Sequence, residues 1–258
     1  MNKNLQVKDL NIEHLADVLK LQDKIIEGFR KDEKHFILRR SVEDFMKALD
    51  SENIHMIGIF DGDKLIAQSI FEFPHDNQQR DMEEFAGEIS NNDLVIYKAT
   101  LVDKDYRGQG LMSKLLDYRE TKAKQSGKKV AINQIAIDNP ASWINALKNG
   151  MSIRKVDKDP DDGAKVLYLQ KDFYEAKEDY TSDGDTFSMY IGKDIHKEIP
   201  ALFNKMRHFV EKGYRGISLD KQTNSIIWAK SENQKGNYML NNSVSTLFAG
   251  FPNRTIRS

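Results

Sequence analysis

The chain has 258 residues, of which 39% are hydrophobic and 31% charged, enough for a packed core in one large domain or two modest ones. Its formal net charge of -1 shows no basic excess, so we expect no nucleic-acid partner. Cysteine is absent, which excludes a thiol nucleophile, a disulfide and a cysteine-ligated metal site.

Residues 1–5 lack the apolar core of a signal peptide, and no stretch approaches the roughly 18 apolar residues of a membrane span, so we expect a cytoplasmic protein without a membrane partner.

The first part of the chain predicts a strand and two helices. Residues 5–7 predict a short strand, and the apolar spacing from Ile12 to Ile26 predicts an amphipathic helix. A second helix is predicted after a cap at Ser41, with one side formed by Val42, Phe45, Met46 and Leu49.

A hairpin and an insertion are predicted next. The segments 54–60 and 64–73 are rich in β-branched and aromatic residues, and they flank the compact turn sequence Asp61-Gly62-Asp63. Residues 75–92 are polar and acidic around Met82, Phe85 and Ile89. We interpret them as an insertion or lid that lies outside the core.

Strands and helices alternate through the middle of the chain. Residues 93–102 predict a strand whose apolar density favours a central position in a sheet, and the helix after it ends at Gly127. Residues 129–137 predict another strand. A helix then starts at Asn139 and Pro140 and ends at Gly150, and a strand over residues 165–170 completes this part.

The charged segment 172–185 predicts a boundary between a domain of residues 1–171 and an extension of residues 172–258. The extension is predicted to contain a strand, a helix kinked or restarted at Pro200 and a hairpin, at residues 186–191, 195–210, 216–219 and 225–229. The same order in residues 5–73 hints at an internal duplication. Residues 231–258 have little periodicity and are interpreted as a partly ordered tail.

The sequence Arg107-Gly108-Gln109-Gly110-Leu111-Met112 lies between a predicted strand and a predicted helix. N–H groups at a helix start have no internal partners, and the helix dipole adds positive potential, so glycines there leave room for a pyrophosphate. An ordinary glycine-rich turn is the alternative. The P-loop and the Rossmann fingerprint are excluded, because Leu111 follows Gly110 and Ser113 takes the place of the third Rossmann glycine.

This segment resembles the signature of the GNAT N-acetyltransferases, Arg/Gln-x-x-Gly-x-Gly/Ala at the end of the fourth strand, with Met112 in place of the small final residue. A second segment, from Asn139 to Met151, is similar to the family's Asn-x-x-Ala/Ser, helix and Gly-Phe, and it begins 29 residues after Gly110. Both motifs occur in the family's order on the predicted elements. The resemblance covers about residues 3–171.

The resemblance implies an α/β (α+β) fold with a mixed, strongly twisted sheet flanked by helices, to which the extension adds a small α/β unit. It implies acetyl-CoA as the co-substrate, in a cleft where the fourth and fifth strands separate. Backbone N–H groups would bind the pyrophosphate, and the fourth strand would pair with the pantetheine arm. The implied cofactor-binding residues are Leu101, Val102, Arg107, Gly108, Gln109, Gly110, Leu111, Met112, Ser113, Asn139 and Ser142.

Acetyl transfer needs a neutral amine and a proton for the leaving thiolate, although holding both substrates in line reduces the need for a strong base. The family often uses a tyrosine as the acid, and Ala146 stands at that position. Tyr97 and Tyr168 are therefore the candidate acids, with packing as the alternative for both. Glu72, acting through water, is the candidate base, and His75 is a second candidate, with a solvated loop histidine as its alternative. The spacing of histidines and carboxylates predicts no metal site.

The sequence thus predicts an N-acetyltransferase that moves the acetyl group of acetyl-CoA directly to an amine of a small molecule or peptide. An acidic cluster at Asp81, Glu83, Glu84 and Glu88 would attract a cationic acceptor if the insertion overhangs the cleft, and a solvated face is the alternative. The alternative function is a non-catalytic acyl-CoA-binding sensor or interaction module, which Ala146 and the extension make credible. The acceptor, the preferred acyl length and the oligomeric state do not follow from the sequence.

Overall fold

The computed structural model describes residues 5–29, 39–75, 82–174, 186–192 and 195–230. These residues form ten strands and six helices, besides two single turns of 3-10 helix. The strands are β1 (Leu5–Asp9), β2 (Ile54–Asp61), β3 (Lys64–Glu72), β4 (Leu94–Val102), β5 (Val130–Ala136), β6 (Ser152–Lys158), β7 (Lys165–Asp172), β8 (Thr186–Tyr190), β9 (Tyr214–Asp220) and β10 (Ser225–Lys230). The helices are α1 (Leu15–Glu27), α2 (Val42–Leu49), α3 (Glu83–Ala86), α4 (Leu111–Gln125), α5 (Pro140–Lys148) and α6 (Ile195–Glu211).

All ten strands belong to one mixed sheet, in the order β1-β2-β3-β4-β5-β7-β6-β9-β10-β8. Only β4 and β5 run parallel among these neighbours. Their ladder joins Leu94–Tyr97 to Val130–Asn133 and ends there, although β4 continues to Val102 and β5 to Ala136. The two strands therefore separate toward their carboxyl ends. The mixed sheet with flanking helices confirms the predicted fold class.

A β-bulge lies in β4 where it leaves β5. Ser69 of β3 pairs with Thr100, whereas Phe71 pairs with Tyr97, so β4 has one more residue than β3 between these pairs. The Ser69 hydroxyl lies 2.8 Å from the Thr100 hydroxyl and donates to the Ala99 carbonyl at 3.3 Å. The bulge changes which side chains of β4 face each side of the sheet, as bulges next to functional sites commonly do.

Each face of the sheet carries its own core. The first, here called the α4 face, is covered by α4, α5 and α6, and its buried side chains include Ile57, Tyr97, Leu115, Trp143 and Met206. The second, here called the α1 face, is covered by α1 and α2 where they cross β2, β3 and β4, and its buried side chains include Val18, Phe45, Ile70 and Leu101. Helices on both faces bury a sheet whose central strands are almost wholly apolar.

The start of α2 confirms the predicted cap, but its apolar face differs from the prediction. Ser41 Oγ accepts from the Asp44 N–H, and the Asp44 carboxylate accepts from the Ser41 N–H, which is a capping box. Phe45 is buried as predicted, together with Ala48. Val42 and Met46 are 44% and 45% exposed, because the side of α2 that packs on the sheet is centred on Phe45 and Ala48.

The insertion after β3 is partly core, contrary to the prediction that residues 75–92 lie outside it. Ala86 and Ile89 are buried in a cluster with Leu94, Ile96 and Ile132 at the paired ends of β4 and β5. The Phe85 ring contacts the Tyr168 ring of β7, with their centroids 5.1 Å apart. Residues 76–81 lie outside the described residues.

The strand β6 has no counterpart among the predicted strands. Its seven residues contain only two apolar side chains, Ile153 and Val156, and the charged residues between them hide the alternation. It pairs with β7 along its length and meets β9 where Ile153 lies opposite Gly216. The sheet therefore continues from the N-terminal part into the C-terminal part.

The C-terminal part contains the predicted strand, helix and hairpin, and α6 is one helix that includes Pro200. Its pairing differs from that of the N-terminal part: β1 pairs with the first hairpin strand, β2, whereas β8 pairs with the second, β10. This difference does not support an internal duplication. Most of the predicted boundary segment 172–185, namely residues 175–185, and the predicted tail over residues 231–258 lie outside the described residues.

Candidate functional site

The loop from β4 to α4 presents a row of backbone N–H groups. Gly108 and Gly110 have φ angles of 76° and 73°, in the left-handed region that favours glycine. Within this described loop, the N–H groups of residues 108–113 have no hydrogen-bond partner, and the first helical bond joins the Lys114 N–H to the Gly110 carbonyl at 3.1 Å. A Cβ at either glycine would meet no atom within 4 Å. The loop is therefore open at a helix N-terminus, a position that favours anions.

A buried carboxylate fixes the chain just before this loop. Asp103 is fully buried, and its Oδ2 lies 2.6 Å from Lys24 Nζ of α1 and 3.2 Å from Lys64 Nζ. Burial alone would raise the pKa of Asp103, but hydrogen bonds from Lys24, the Asp105 N–H and Lys64 outweigh it and hold that pKa below its ordinary value. Lys24 also contacts the Asp105 carboxylate at 2.6 Å, and the two bonds raise the pKa of Lys24.

Arg107 and Ser113 lie at the two ends of the loop. Arg107 is exposed, its Nε donates to the Val102 carbonyl at 3.4 Å, and its guanidinium lies 5.7 Å from the centre of the Phe29 ring. Ser113 Oγ accepts from Asn149 Nδ2 at 3.4 Å, which connects the first turn of α4 to the end of α5. The predicted loop residues 107–113 thus run from the end of β4 into the first turn of α4, where the side chain of Leu111 is buried in the core.

Asn139 and Ser142 lie at the start of α5, which follows β5. Asn139 is the N-cap: its Oδ1 accepts from the Ser142 N–H at 3.3 Å, and Pro140 takes the first helical position. The predicted helix start is therefore confirmed. Because β4 and β5 are parallel neighbours, the segments after their carboxyl ends reach the same edge of the sheet. The structure brings Asn139 and Ser142 to the edge that also carries Leu101, Val102 and the glycine loop.

A small pocket opens on the α1 face beside the bulge, and sequence reasoning did not find it. Its walls come from α1, α2, β3, β4 and the segment before α2, and its lining residues are Gln22, Arg40, Phe45, Gln68, Ile70, Ala99 and Leu101. Gln22 fixes that segment, since its Nε2 donates to the Arg40 carbonyl at 3.0 Å and its Oε1 accepts from the Arg40 N–H at 2.9 Å.

Gln68 is the unusual member of this pocket. It lies on β3 opposite Leu101 and is 1% exposed. Within the described part of the chain, neither its Oε1 nor its Nε2 has a hydrogen-bond partner. The one sequence signal is a glutamine at a core-facing position of the strand Leu65-Ile66-Ala67-Gln68-Ser69-Ile70.

The candidate base Glu72 lies four residues after Gln68 in β3, so the two side chains are on the same face of the strand. It is 5% exposed, and its Oε2 lies 2.5 Å from Lys98 Nζ, the residue that follows Tyr97 into the bulge. The side chain is therefore half of a buried ion pair beside the segment of β4 that has left β5.

The candidate acid Tyr97 lies on the opposite face, in the core under α4. Its ring centre is 4.1 Å from the Arg119 guanidinium carbon. Its hydroxyl is buried and has no partner within the described residues, and burial raises the pKa of Tyr97. The structure therefore does not bring Tyr97 and Glu72 together.

The remaining candidates lie away from the end of β4. Ala146 is 3% exposed in α5. Tyr168 is on β7, two strands from β4, and burial, followed by the charge of Asp159, raises its pKa to about 12. His75 is exposed, and its carbonyl accepts from Asn91 Nδ2.

The acidic cluster surrounds α3, which covers the paired ends of β4 and β5 rather than the separated ends. Glu83, Glu84 and Glu88 are exposed, and Glu84 contacts Lys155 at 3.0 Å. Asp81 lies outside the described residues. Among the residues that the structure describes, no three histidines or carboxylates are grouped as metal ligands, and no helix is long and apolar enough to cross a membrane.

Three of the solved structures with similar folds are described as N-acetyltransferases. One from Staphylococcus aureus Mu50 is 14% identical with a TM-score of 0.52, over 66% of this chain and 99% of that chain. The ribosomal-protein-S18-alanine N-acetyltransferase from Escherichia coli is 15% identical with a TM-score of 0.50, over 69% and 99%. The PaiA N-acetyltransferase from Thermoplasma acidophilum, solved in complex with coenzyme A, is 15% identical with a TM-score of 0.50, over 66% and 99%.

These identities establish similarity of fold, and no curated protein matches the chain significantly. The family model described as the acetyltransferase (GNAT) family matches residues 18–150, which include the glycine loop and α5 and make up more than half of the chain. The chain therefore belongs to the acetyltransferase (GNAT) family, whose general activity is acetyl-CoA-dependent N-acetylation.

Proposed function

We propose that this protein is an N-acetyltransferase that transfers the acetyl group of acetyl-CoA directly to the amine of a small molecule or peptide. The observation that carries the proposal is the row of unbonded N–H groups at residues 108–113, at the edge where β4 and β5 separate. A small pocket, with room for about one water molecule, lies across the bulge from that edge. The acceptor would reach the acetyl group from that side of β4.

The residues at this edge fit acetyl-CoA. Acetyl-CoA supplies the acetyl group as a thioester, attached to an extended arm and a pyrophosphate. The loop N–H groups bind the pyrophosphate, because they have no partner in the protein and lie at the positive end of the α4 dipole. Leu101 and Val102 bind the arm through backbone groups that β5 no longer pairs, and Asn139 and Ser142 contact it from the start of α5. Arg107 adds positive charge beside the phosphates.

The acceptor must react as a neutral amine, because an ammonium ion has no lone pair. Glu72 is the proposed proton acceptor, through a water molecule, since it faces the side of β4 that carries the pocket. Its Oε2 lies 2.5 Å from Lys98 Nζ, so a water between Glu72 and the amine would compete with that ion pair. Positioning of the two substrates then contributes much of the rate. Tyr97 is given no proton-transfer role, because it lies on the other face.

A non-catalytic acyl-CoA-binding protein is the second candidate. Ala146 stands where the family often has its tyrosine, and the hydroxyl of Tyr97 is enclosed in the core. Both observations remove a proton donor, which an enzyme would use and a sensor would not need.

Release of free CoA during incubation with acetyl-CoA and a panel of amines separates the two functions. Turnover that depends on one class of amine is the expected result. CoA or acetyl-CoA binding without turnover on any amine would instead support the sensor. Binding alone does not distinguish them, because both functions require it.

A further inference from the structure

Tyr168 places a hydroxyl without a partner on the α1 face of the sheet. Its neighbours on β7, Leu167 and Leu169, belong to the core of the α4 face, so Tyr168 points to the other side, where its ring contacts Phe85. Tyr168 is 5% exposed, and no residue that the structure describes forms a hydrogen bond with its hydroxyl. A buried tyrosine usually has a partner for this group, so the hydroxyl is free to bond a ligand.

Four carboxylates lie near this hydroxyl. Burial, followed by the charges of Asp159, Asp157, Glu84 and Asp161, raises the pKa of Tyr168. Three of these residues belong to the end of β6 and the turn into β7, and Glu84 belongs to α3. Glu84 and Asp161 are exposed, and Asp157 and Asp159 are half-buried, so a ligand can reach them from solvent.

Lys155 is a cation within this group. Its Nζ lies 3.0 Å from Glu84, 3.6 Å from Asp157 and 5.4 Å from the centre of the Tyr168 ring. One positive charge is thus shared by two of the four carboxylates, and the group keeps a net negative charge.

Asp159 and Asp161 have no cationic partner among the described residues. Asp159 is held by neutral donors instead: its Oδ1 accepts from the Asp161 N–H at 2.8 Å, and its Oδ2 accepts from the Gln134 amide. These bonds orient the carboxylate without neutralising it. A cation beside Tyr168 would be attracted by both aspartates.

Gln134 connects this group to acetyl transfer. It lies opposite Tyr168 and follows Asn133, the last residue of β5 that pairs with β4, so it marks the point where β4 and β5 separate. Glu72, the proposed base, lies on the same face of the sheet at the other side of β4. Neighbouring strands are about 4.8 Å apart, so Tyr168 is roughly 10 Å from β4. An acceptor that reacts between β4 and β5 would therefore extend over Gln134 to Tyr168.

Resting on the function proposed above, we propose that the acceptor is a linear diamine whose second, charged amine binds beside Asp159, Asp161 and the Tyr168 hydroxyl. An ammonium group has three N–H donors and no acceptor, which matches two carboxylates and a hydroxyl oxygen. The first amine attacks in its neutral form: the carbon–nitrogen bond forms, the carbon–sulfur bond breaks, and the proton lost by the nitrogen balances the CoA thiolate. A carboxylate in place of the ammonium would be repelled.

Initial rates of CoA release with hexamethylenediamine, hexylamine and aminocaproate test the proposal, because these acceptors share one chain and differ in the charge at its far end. The kcat/KM should be at least about tenfold higher for the diamine than for hexylamine, and lowest for aminocaproate. This advantage should shrink as the ionic strength rises, since salt screens exposed charges. An equal or higher kcat/KM for hexylamine or aminocaproate would overturn the proposal.

Alanyl-lysine amide carries the same two charges on a peptide. Its kcat/KM relative to that of hexamethylenediamine distinguishes a peptide N-terminus from a small diamine as the source of the two amines. The proposal expects the small diamine to be preferred, and a preference for the peptide would overturn it.

Asp159→Asn removes one charge and keeps an oxygen that can accept the Asp161 N–H. The KM for hexamethylenediamine should rise at least about fivefold, as loss of a charged hydrogen bond predicts, while the KM values for hexylamine and acetyl-CoA stay within about twofold. Asp220→Asn is the matched control, because Asp220 accepts the Gln222 N–H at 2.8 Å in the β9–β10 turn. It should preserve the preference for the diamine.

Tyr168→Phe keeps the ring that contacts Phe85 and Lys155 and removes the hydroxyl. It should raise the KM for hexamethylenediamine by at least about threefold and leave that for hexylamine unchanged. Equal changes for the two amines in Asp159→Asn or in Tyr168→Phe would assign the altered residue a structural role and overturn the proposal.

If the wild-type protein acetylates none of these amines, the proposed function fails separately. Calorimetric titration of hexamethylenediamine in the presence of CoA then decides whether the second amine has a site. Binding that Asp159→Asn weakens and Asp220→Asn preserves supports the site, and absent or unchanged binding contradicts it.

Discussion

The Arg119 guanidinium carbon lies 4.1 Å from the centre of the Tyr97 ring, in the core between α4 and β4. Arg119 is 2% exposed and has no ion pair with any residue that the structure describes. Burial lowers the pKa of Arg119 to about 10. The aromatic face is thus the principal compensation for this buried cation, and Tyr97 acts as a packing partner on the face away from the pocket.

Tyr97→Phe should therefore preserve acetyl transfer. The ring that contacts Arg119 remains, and only a hydroxyl without a partner is lost. We expect kcat within about twofold of wild type and an unchanged or slightly higher melting temperature, measured by steady-state kinetics and calorimetry. A fall in kcat of more than about tenfold in a folded variant, a change of roughly 1.4 kcal/mol in the barrier, would restore Tyr97 as the proton donor.

The buried pair of Glu72 and Lys98 calls for a double variant. Glu72→Gln alone removes the carboxylate that pairs with Lys98 at this largely buried position, so the free energy of unfolding should fall by roughly 3 kcal/mol, as for broken buried pairs. Adding Lys98→Met should recover most of that loss. If Glu72 accepts the proton, kcat stays reduced by at least about tenfold in both variants. Wild-type kcat in the stable double variant would show that the pair is structural.

Asp103→Asn tests the carboxylate that fixes the glycine loop. The hydrogen bonds of Asp103 lower its pKa in the folded state below the ordinary value of 3.8. Its stabilisation is therefore complete above the unfolded-state pKa and is lost as the pH falls through the folded-state pKa. At pH 7 the variant should be about 1–3 kcal/mol less stable.

Urea unfolding of both proteins between pH 7 and pH 2 measures this difference. It should shrink below about pH 4 and disappear once Asp103 is protonated in both states. A difference that stays constant across the range would mean that the charge of Asp103 does not contribute.

Removal of the C-terminal part tests whether the continuous sheet folds as one unit. Ile153 and Leu147 share a core cluster with Met206 and Trp228. Truncation after Tyr174 removes the latter two and would expose Ile153 and Leu147. Losing the burial of several such side chains, at about 2 kcal/mol each, should lower the melting temperature by more than about 10 °C or make the protein insoluble. A soluble, active fragment with the melting temperature of the full chain would show an independent N-terminal domain, as the predicted boundary suggests.

The sequence is sufficient for the elements whose signals are local. Gly108 and Gly110 need left-handed backbone angles, and Asn139 with Pro140 is a sufficient helix start, so the loop and α5 were predictable from a few residues each. Their meeting at one edge also followed, since it needs only that the preceding strands be parallel neighbours.

The acceptor side was not predictable, because it depends on pairing between distant segments. Gln68 faces a pocket only because β3 pairs with β4 in this register and α1 and α2 cover that face. Lys98 reaches Glu72 at the bulge, a feature without a sequence signature here. Likewise, Val42 and Met46 fit an amphipathic pattern, but the packing of α2 on the sheet selects the side with Phe45 and Ala48.

Calorimetric titration of acetyl-CoA into Gly110→Val tests the donor site most directly. The site needs the φ of 73° at Gly110, which valine opposes at a cost of roughly 1–2 kcal/mol, and its N–H groups must stay aimed at the phosphates. Gly62→Val is the matched control, because Gly62 has a φ of 62° and equally open surroundings in the β2–β3 turn. Both variants should lose similar stability, and only Gly110→Val should weaken acetyl-CoA binding, by at least about tenfold. Wild-type affinity in Gly110→Val, or an equal loss in both variants, would contradict the assignment of residues 108–113 as the acetyl-CoA site.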